Sequence, residues 1–227
     1  MSLDAANRIL VPERSTLLRE IFESEAHFTR WVEHPSSTIL HHDRGCCEEA
    51  RLWFLAYARS MEIGTGTQFG LKAPTWLSQL FEWGPSEWPI SWCQVVREKV
   101  IDCGVFAALA REVFKAQGHE PHPAQALLSY NETCTGHWQR YWDKRKEKKK
   151  RNDRDFFPWI GKQLVYHEIC VLEMPDGSGK FYDSTWGHWY LPQPRIGFGA
   201  LLAIRSECSR LLTWGDRTIS CGEWIDL

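Results

Sequence analysis

The sequence predicts an α+β fold, and three observations carry that prediction. Apolar residues recur at spacings of three and four through the first half of the chain. From residue 164 onward they alternate around a Pro/Gly-rich turn, the pattern of a half-buried hairpin. The helices come first and the sheet later, which argues against repeating β/α units. The expected architecture is a set of N-terminal helices packed on an antiparallel sheet.

The elements follow in order. Residues 15–33 read as an amphipathic helix with Leu17, Leu18, Ile21, Phe22, Phe28 and Val32 on one face. Residues 46–60 read as a second helix, with Asp43 near its start. The Gly- and Thr-rich stretch 61–75 reads as a loop. The tryptophan-dense stretch 76–100 is broken by Pro85 and Pro89, and a short helix follows from about Ser91 to Lys99. Residues 103–117 form the clearest helix. There Val105, Leu109 and Val113 make one row, Phe106, Ala110 and Phe114 its neighbour, and Gly118 a stop. Residues 119–143 are mixed and aromatic, with no element assigned. Residues 164–173 read as a strand, Pro175 to Gly179 as a turn, and 180–186 as the returning strand.

The chain of 227 residues suits one domain, residues 1–227, with a mostly helical part over 1–90 and a core over 91–190. Hydrophobic residues are 43% and charged residues 25%, an ordinary soluble composition. No stretch approaches the roughly 20 apolar residues of a membrane span. The N-terminal residues lack a basic segment leading into an apolar core, so no secretory leader is expected. A cytoplasmic location and eight free thiols are the corresponding expectations. Thirteen tryptophans imply a large aromatic core or an aromatic-lined cleft. The net charge of −2 excludes a general nucleic-acid binder. From Lys144 to Arg154, however, eight basic residues meet only two acidic ones, leaving the remainder at −8.

Cys103 opens a helix and is followed by Gly104. Free N–H groups and the dipole at that end favour a thiolate and could hold an oxyanion. A thiolate nucleophile wants an imidazole, and the imidazole wants a third group to orient it. His167 lies mid-strand and Asp183 lies on the returning strand. A two-residue turn would hold them too far apart. If a longer loop sets Leu172 opposite Lys180, Asp183 falls opposite Ile169, one diagonal step from His167.

The segment from Asp102 to Ala107 (DCGVFA) resembles the nucleophile motif of the transglutaminase-like superfamily. Tyr166 to Val171 (YHEICV) resembles its histidine strand, and Phe181 to Trp186 (FYDSTW) its aspartate strand. The likeness covers about residues 90–190. It implies a papain-like fold and a triad of Cys103 as nucleophile, His167 as general base and acid, and Asp183 as orienting carboxylate. It also implies an acyl-cysteine intermediate passed to an amine, or its hydrolysis, with the acyl group arriving as an amide or a carrier-bound thioester.

Trp92 and Gln94, upstream of Cys103, are the oxyanion candidates, through an indole N–H or an amide. Some members of the superfamily need calcium, but no EF-hand-like loop occurs here. His41, His42, Cys46 and Cys47 lack the spacing of a zinc motif, and His119 and His122 do no better, so no metal or cofactor is expected. The basic run Lys144–Arg154 could dock an acidic acyl or peptidyl carrier protein. The alternatives are a cysteine amidase or peptidase with the same triad, and a non-catalytic interaction module.

Overall fold

The computed structural model describes residues 39, 45–84, 86, 90–129, 140, 143–144, 159–160, 164–192 and 200–227. The described residues belong to one compact unit, Ser36–Leu227, of mixed helix and sheet, as the pattern predicts. The predicted helix 15–33 and, beyond Lys144, the basic run lie outside the described residues.

The first helix, α1, spans Gly45–Glu62. A single turn, α2 (Leu77–Leu80), leads into β1 (Glu82–Trp83). Then come α3 (Trp92–Arg97), β2 (Val100–Ile101) and α4 (Cys103–Ala116). β1 and β2 pair in parallel, with Glu82 N–H donating to Lys99 O at 2.7 Å and Gly84 N–H to Ile101 O at 3.0 Å. That short ladder anchors the chain immediately before Cys103.

The sheet follows. β3 is Glu120–Ser129, β4 Trp159–Ile160, β5 Leu164–Glu173, β6 Gly179–Asp183 and β7 His188–Tyr190. β8 is Ala200–Ser206 and β11 Ile225–Asp226. Their antiparallel order is β11-β8-β3-β5-β6-β7, with β4 also pairing with β5. β9 (Leu212–Trp214) and β10 (Arg217–Ile219) form a separate hairpin.

α4 ends as its sequence foretells. Gly118, at φ +84°, adopts the left-handed conformation. His119 N–H then reaches Phe114 O at 3.0 Å and Gly118 N–H reaches Lys115 O at 3.0 Å, a Schellman closure. Val105, Phe106, Leu109, Ala110, Val113 and Phe114 are all buried.

β3 is the strand the residue pattern does not announce. Pro121 and Pro123 argue against a central strand, because proline cannot donate to a ladder. β3 nevertheless lies between β5 and β8. The resolution lies in which neighbour each proline addresses. Glu207 N–H donates to Pro123 O at 2.9 Å, so residues of that parity address the β8 side. The ladder with β8 begins only at Ala124 opposite Ser206. Both prolines therefore sit beyond its end, where no donor is needed.

Two cores flank the sheet. Cys170, Leu172 and Tyr182 join the cluster built on α4, Phe54, Trp76 and Trp92. Ile169, Val171 and Phe181 join a second cluster with Leu212, Trp214 and Ile219 from the β9–β10 hairpin. The period-two alternation of the strands separates the two sets. Trp76, Trp92, Trp189 and Trp214 are buried in these cores, whereas Trp53 and Trp186 are exposed. Among the described residues, these four tryptophans are core aromatic packing.

Phe114 touches both the helix and the sheet side of the first core. Its ring meets Tyr182 edge-on at 5.6 Å and Trp189 at 5.8 Å. Phe114→Ala is expected to lower stability by about 3–5 kcal/mol, measured by urea unfolding. A loss below about 1 kcal/mol would mean that this contact does not hold the helix to the sheet.

Candidate active site

The β5–β6 hairpin sets the register on which the site depends. Gly177 N–H donates to Met174 O, and Met174 N–H to Ser178 O, both at 2.9 Å. Pro175, Asp176 and Gly177 are thus a three-residue loop, with Gly177 at φ +81° supplying the left-handed step. Asp176 also accepts the Ser178 N–H at 2.9 Å. Leu172 stands opposite Lys180 and Cys170 opposite Tyr182, the register that brings Asp183 beside His167. His167 Nε2 and Asp183 Oδ2 are 2.9 Å apart.

Asp183 is fully buried, and its two oxygens are held by four donors. Oδ2 takes His167 Nε2 and the Tyr190 hydroxyl, each at 2.9 Å. Oδ1 takes the N–H of Thr185 at 3.0 Å and of Trp186 at 3.2 Å. Burial alone would raise this carboxyl's pKa. The His167 charge and hydrogen bond, the His188 charge and the Tyr190 hydroxyl outweigh burial and hold it below the ordinary value. A carboxylate so constrained can fix an imidazole in one orientation.

Cys103 opens α4 behind the cap Asp102, whose Oδ1 accepts the Val105 N–H at 3.0 Å. The Ser86 hydroxyl donates to the other oxygen of the same carboxylate. The Cys103 thiol lies near enough to His167 for the two groups to feel each other's charge. With Nε2 committed to Asp183, Nδ1 is the nitrogen left for the sulfur. Cysteine, imidazole and carboxylate therefore gather in one place, with the imidazole bonded to the carboxylate.

The charges in this group compete. Burial pushes the Cys103 thiol up, and the Asp102 and Glu168 carboxylates add to that. His167 pulls it down. Burial works against the His167 imidazolium, but Asp183, by charge and hydrogen bond, and Cys103 reverse this and raise it to about 10. The favoured state keeps a proton on His167, clamped to Asp183. Burial wins at the sulfur, which stays above its ordinary pKa, and the imidazolium and the helix terminus offset only part of that cost.

Cys103 and His167 each keep only 4% of their surface exposed. The oxyanion candidates sit elsewhere in the packing. Trp92 lies in the first core with its ring 5.7 Å from Phe54. Gln94 Oε1 accepts the Ser91 N–H and hydroxyl at 2.8 Å each, closing the start of α3. Of the aromatic residues after Asp183, Trp189 packs on Tyr182 at 4.8 Å and covers the core, whereas Trp186 and His188 are exposed.

Two features escape sequence reasoning. Tyr190 reaches Asp183 because β7 folds back on β6, with Phe181 opposite Tyr190, and nothing local marks it. Cys93 brings a third thiol to Cys46 and Cys47 from 46 residues away, so adjacent-pair spacing could not reveal the cluster. His122, by contrast, meets Glu173 at 3.2 Å, and that carboxylate is already engaged by Ser209 and Arg210. His119 stacks edge-on near the Phe114 ring.

Comparison with known proteins gives no matching family model, no matching curated protein and no matching solved structure. Among the described residues, no helix is long and apolar enough to cross a membrane.

The His167–Asp183 pair has a pH signature. His167 has a folded-state pKa of about 10, above the roughly 6.5 of an unfolded histidine. Its stabilisation is fully present below the unfolded value and is lost as pH rises through the folded one. Asp183→Asn removes that contribution. The stability gap between wild type and Asp183→Asn should therefore narrow between about pH 6 and pH 10. Urea unfolding at both pH values tests this, and a gap that widens with pH would contradict the charged pair. Tyr190→Phe, which removes one of four donors to a buried carboxylate, should cost about 1–3 kcal/mol in the same assay.

Proposed function

We propose that this protein is a cysteine acyltransferase that forms an amide through an acyl thioester on Cys103. The observation that carries this reading is the hydrogen bond that clamps His167, beside the Cys103 thiol, to the four-donor carboxylate of Asp183. Under the same reading the α+β core is papain-like and the chain resembles the transglutaminase-like superfamily. The location is cytoplasmic, where thiols stay reduced.

The reaction has two halves. The Cys103 thiolate attacks the acyl carbonyl, and the oxyanion is held by N–H groups at the start of α4. Backbone donors suit this role better than Trp92 or Gln94, because Trp92 packs in the core and the Gln94 oxygen closes α3. The tetrahedral centre collapses, the bond to the leaving group breaks, and His167 gives that group its proton. An amine then attacks the thioester, its proton passes to neutral His167, and the amide leaves with the thiolate restored. Asp183 keeps the imidazole turned toward the sulfur throughout.

The low exposure of Cys103 supports transfer over hydrolysis, since excluded water cannot intercept the acyl-enzyme. It also means that side chains lining the entrance must part for the acyl donor to enter. The donor is an amide or a carrier-bound thioester, and an acidic carrier docked on Lys144–Arg154 belongs to this proposal.

Incubation with a model acyl thioester and a primary amine, followed by mass analysis, should give the amide. Free acid as the sole product would replace transfer with hydrolysis. Cys103→Ala should abolish turnover, and Asp183→Asn should lower kcat by roughly 10²–10⁴-fold. Alkylation of Cys103 should fall sharply in His167→Ala. Equal labelling of that variant and wild type would reduce the protein to a binding module.

A further inference from the structure

A second convergence of sulfur lies away from the triad. Cys46 and Cys47 sit in the first turn of α1, and Cys93 is the second residue of α3. Cys93 Sγ lies 2.7 Å from Cys46 Sγ and 3.2 Å from Cys47 Sγ, and all three sulfurs fall within 4.8 Å of one another. Cys47 is buried, Cys93 half-buried and Cys46 exposed, so the cluster has a protein floor and one side toward solvent.

The grouping is poorly suited to three independent thiols. Hydrogen bonds with Cys46 and Cys47 raise Cys93 to about 12, with burial adding to the effect. Both neighbours make ionisation of Cys93 harder. A divalent cation among them reverses that sign. Zinc–thiolate bonds of about 2.3 Å place tetrahedral sulfurs about 3.8 Å apart. The closest pair would have to open by about 1 Å, which the exposed Cys46 side chain can supply through its rotamer. The N–H groups at the start of α1 favour the net negative charge of a tris-thiolate centre. Three sulfurs also exceed the two a disulfide would consume.

We propose that Cys46, Cys47 and Cys93 form a three-thiolate site for a zinc-class divalent cation, with its fourth position open to water. On binding, three S–H protons pass to solvent and three sulfur–metal bonds form, with no change of oxidation state. The ion ties α1 to α3, ten residues ahead of Cys103 and outside the triad. Its role is to fix the segment that delivers the nucleophile. This revises the expectation, drawn from adjacent-pair spacing, that the chain binds no metal.

The test uses the full chain, reduced with a phosphine and stripped by chelator, and titrated with Co²⁺. Sulfur-to-cobalt charge-transfer bands and tetrahedral visible bands should appear, saturate at about one ion per chain, and be bleached by Zn²⁺. Cys46→Ser, at an exposed position, and Cys93→Ser should lose these bands while keeping the wild-type circular dichroism. Cys103→Ser should keep them, so failure of the metal site and failure of the acyl-transfer reading are distinguishable. Absence of bands in the reduced wild type overturns the proposal. So does an unchanged cobalt spectrum in folded Cys46→Ser and Cys93→Ser. A Cys93 disulfide on air oxidation, with no cobalt binding after reduction, would make the cluster a redox pair instead.

Discussion

The carboxylate of Asp183 is the point on which the candidate site depends. It has no exposed surface, yet it carries a charge, and a buried charge persists only if its lone pairs are matched. Here two backbone N–H groups, an imidazole and a phenol do the matching. The turn after Asp183, the return of β7 and the register of β5 with β6 all serve that one group. His167 is oriented as a result, and Cys103 is held against a ring that cannot swing away. Removing any donor would leave a charge in the interior with an unfilled site, which costs more than the bond itself contributes.

The sheet explains why these groups meet although they are distant in sequence. β5 carries His167 and pairs with β3 along its whole length. α4 packs on β5 and β3 and brings its N-terminus, with Cys103, to the same strand. The parallel β1–β2 ladder holds the chain just before that helix. Cys103 is therefore held at both ends: by the ladder before it, and by the buried rows of Val105 and Phe106 after it.

What could be read in the residues was what depends on local spacing. The helix 103–117 and the strand 164–173 match α4 and β5 closely, and the turn at Pro175–Gly179 lies where proline, aspartate and glycine cluster. The pairing of Leu172 with Lys180 could be stated only as a condition, that of a loop longer than two residues, and that condition is met. β3 was hidden by Pro121 and Pro123, because a proline's fitness for a sheet depends on where the neighbouring strand stops, and that is a tertiary fact. Tyr190 and Cys93 were hidden for the same reason, since their partners are set by the return of a strand and the crossing of two helices. The tryptophans were ambiguous because composition does not say which face a ring occupies. Trp92 and Trp189 turn out to fill the core.

The loop Pro175-Asp176-Gly177 carries an unusual constraint. Surface loops are where homologous chains ordinarily gain and lose residues, because little depends on their length. In a hairpin, a change of loop length that slips the pairing by one residue shifts every following side chain to the opposite face of the sheet. Here that shift would turn Asp183 away from His167 and put Phe181 where Tyr182 now packs against Phe114. The tip can change its side chains, but its length is tied to the register that brings Asp183 to His167. A loop of another length is compatible with the site only if Leu172 still stands opposite Lys180.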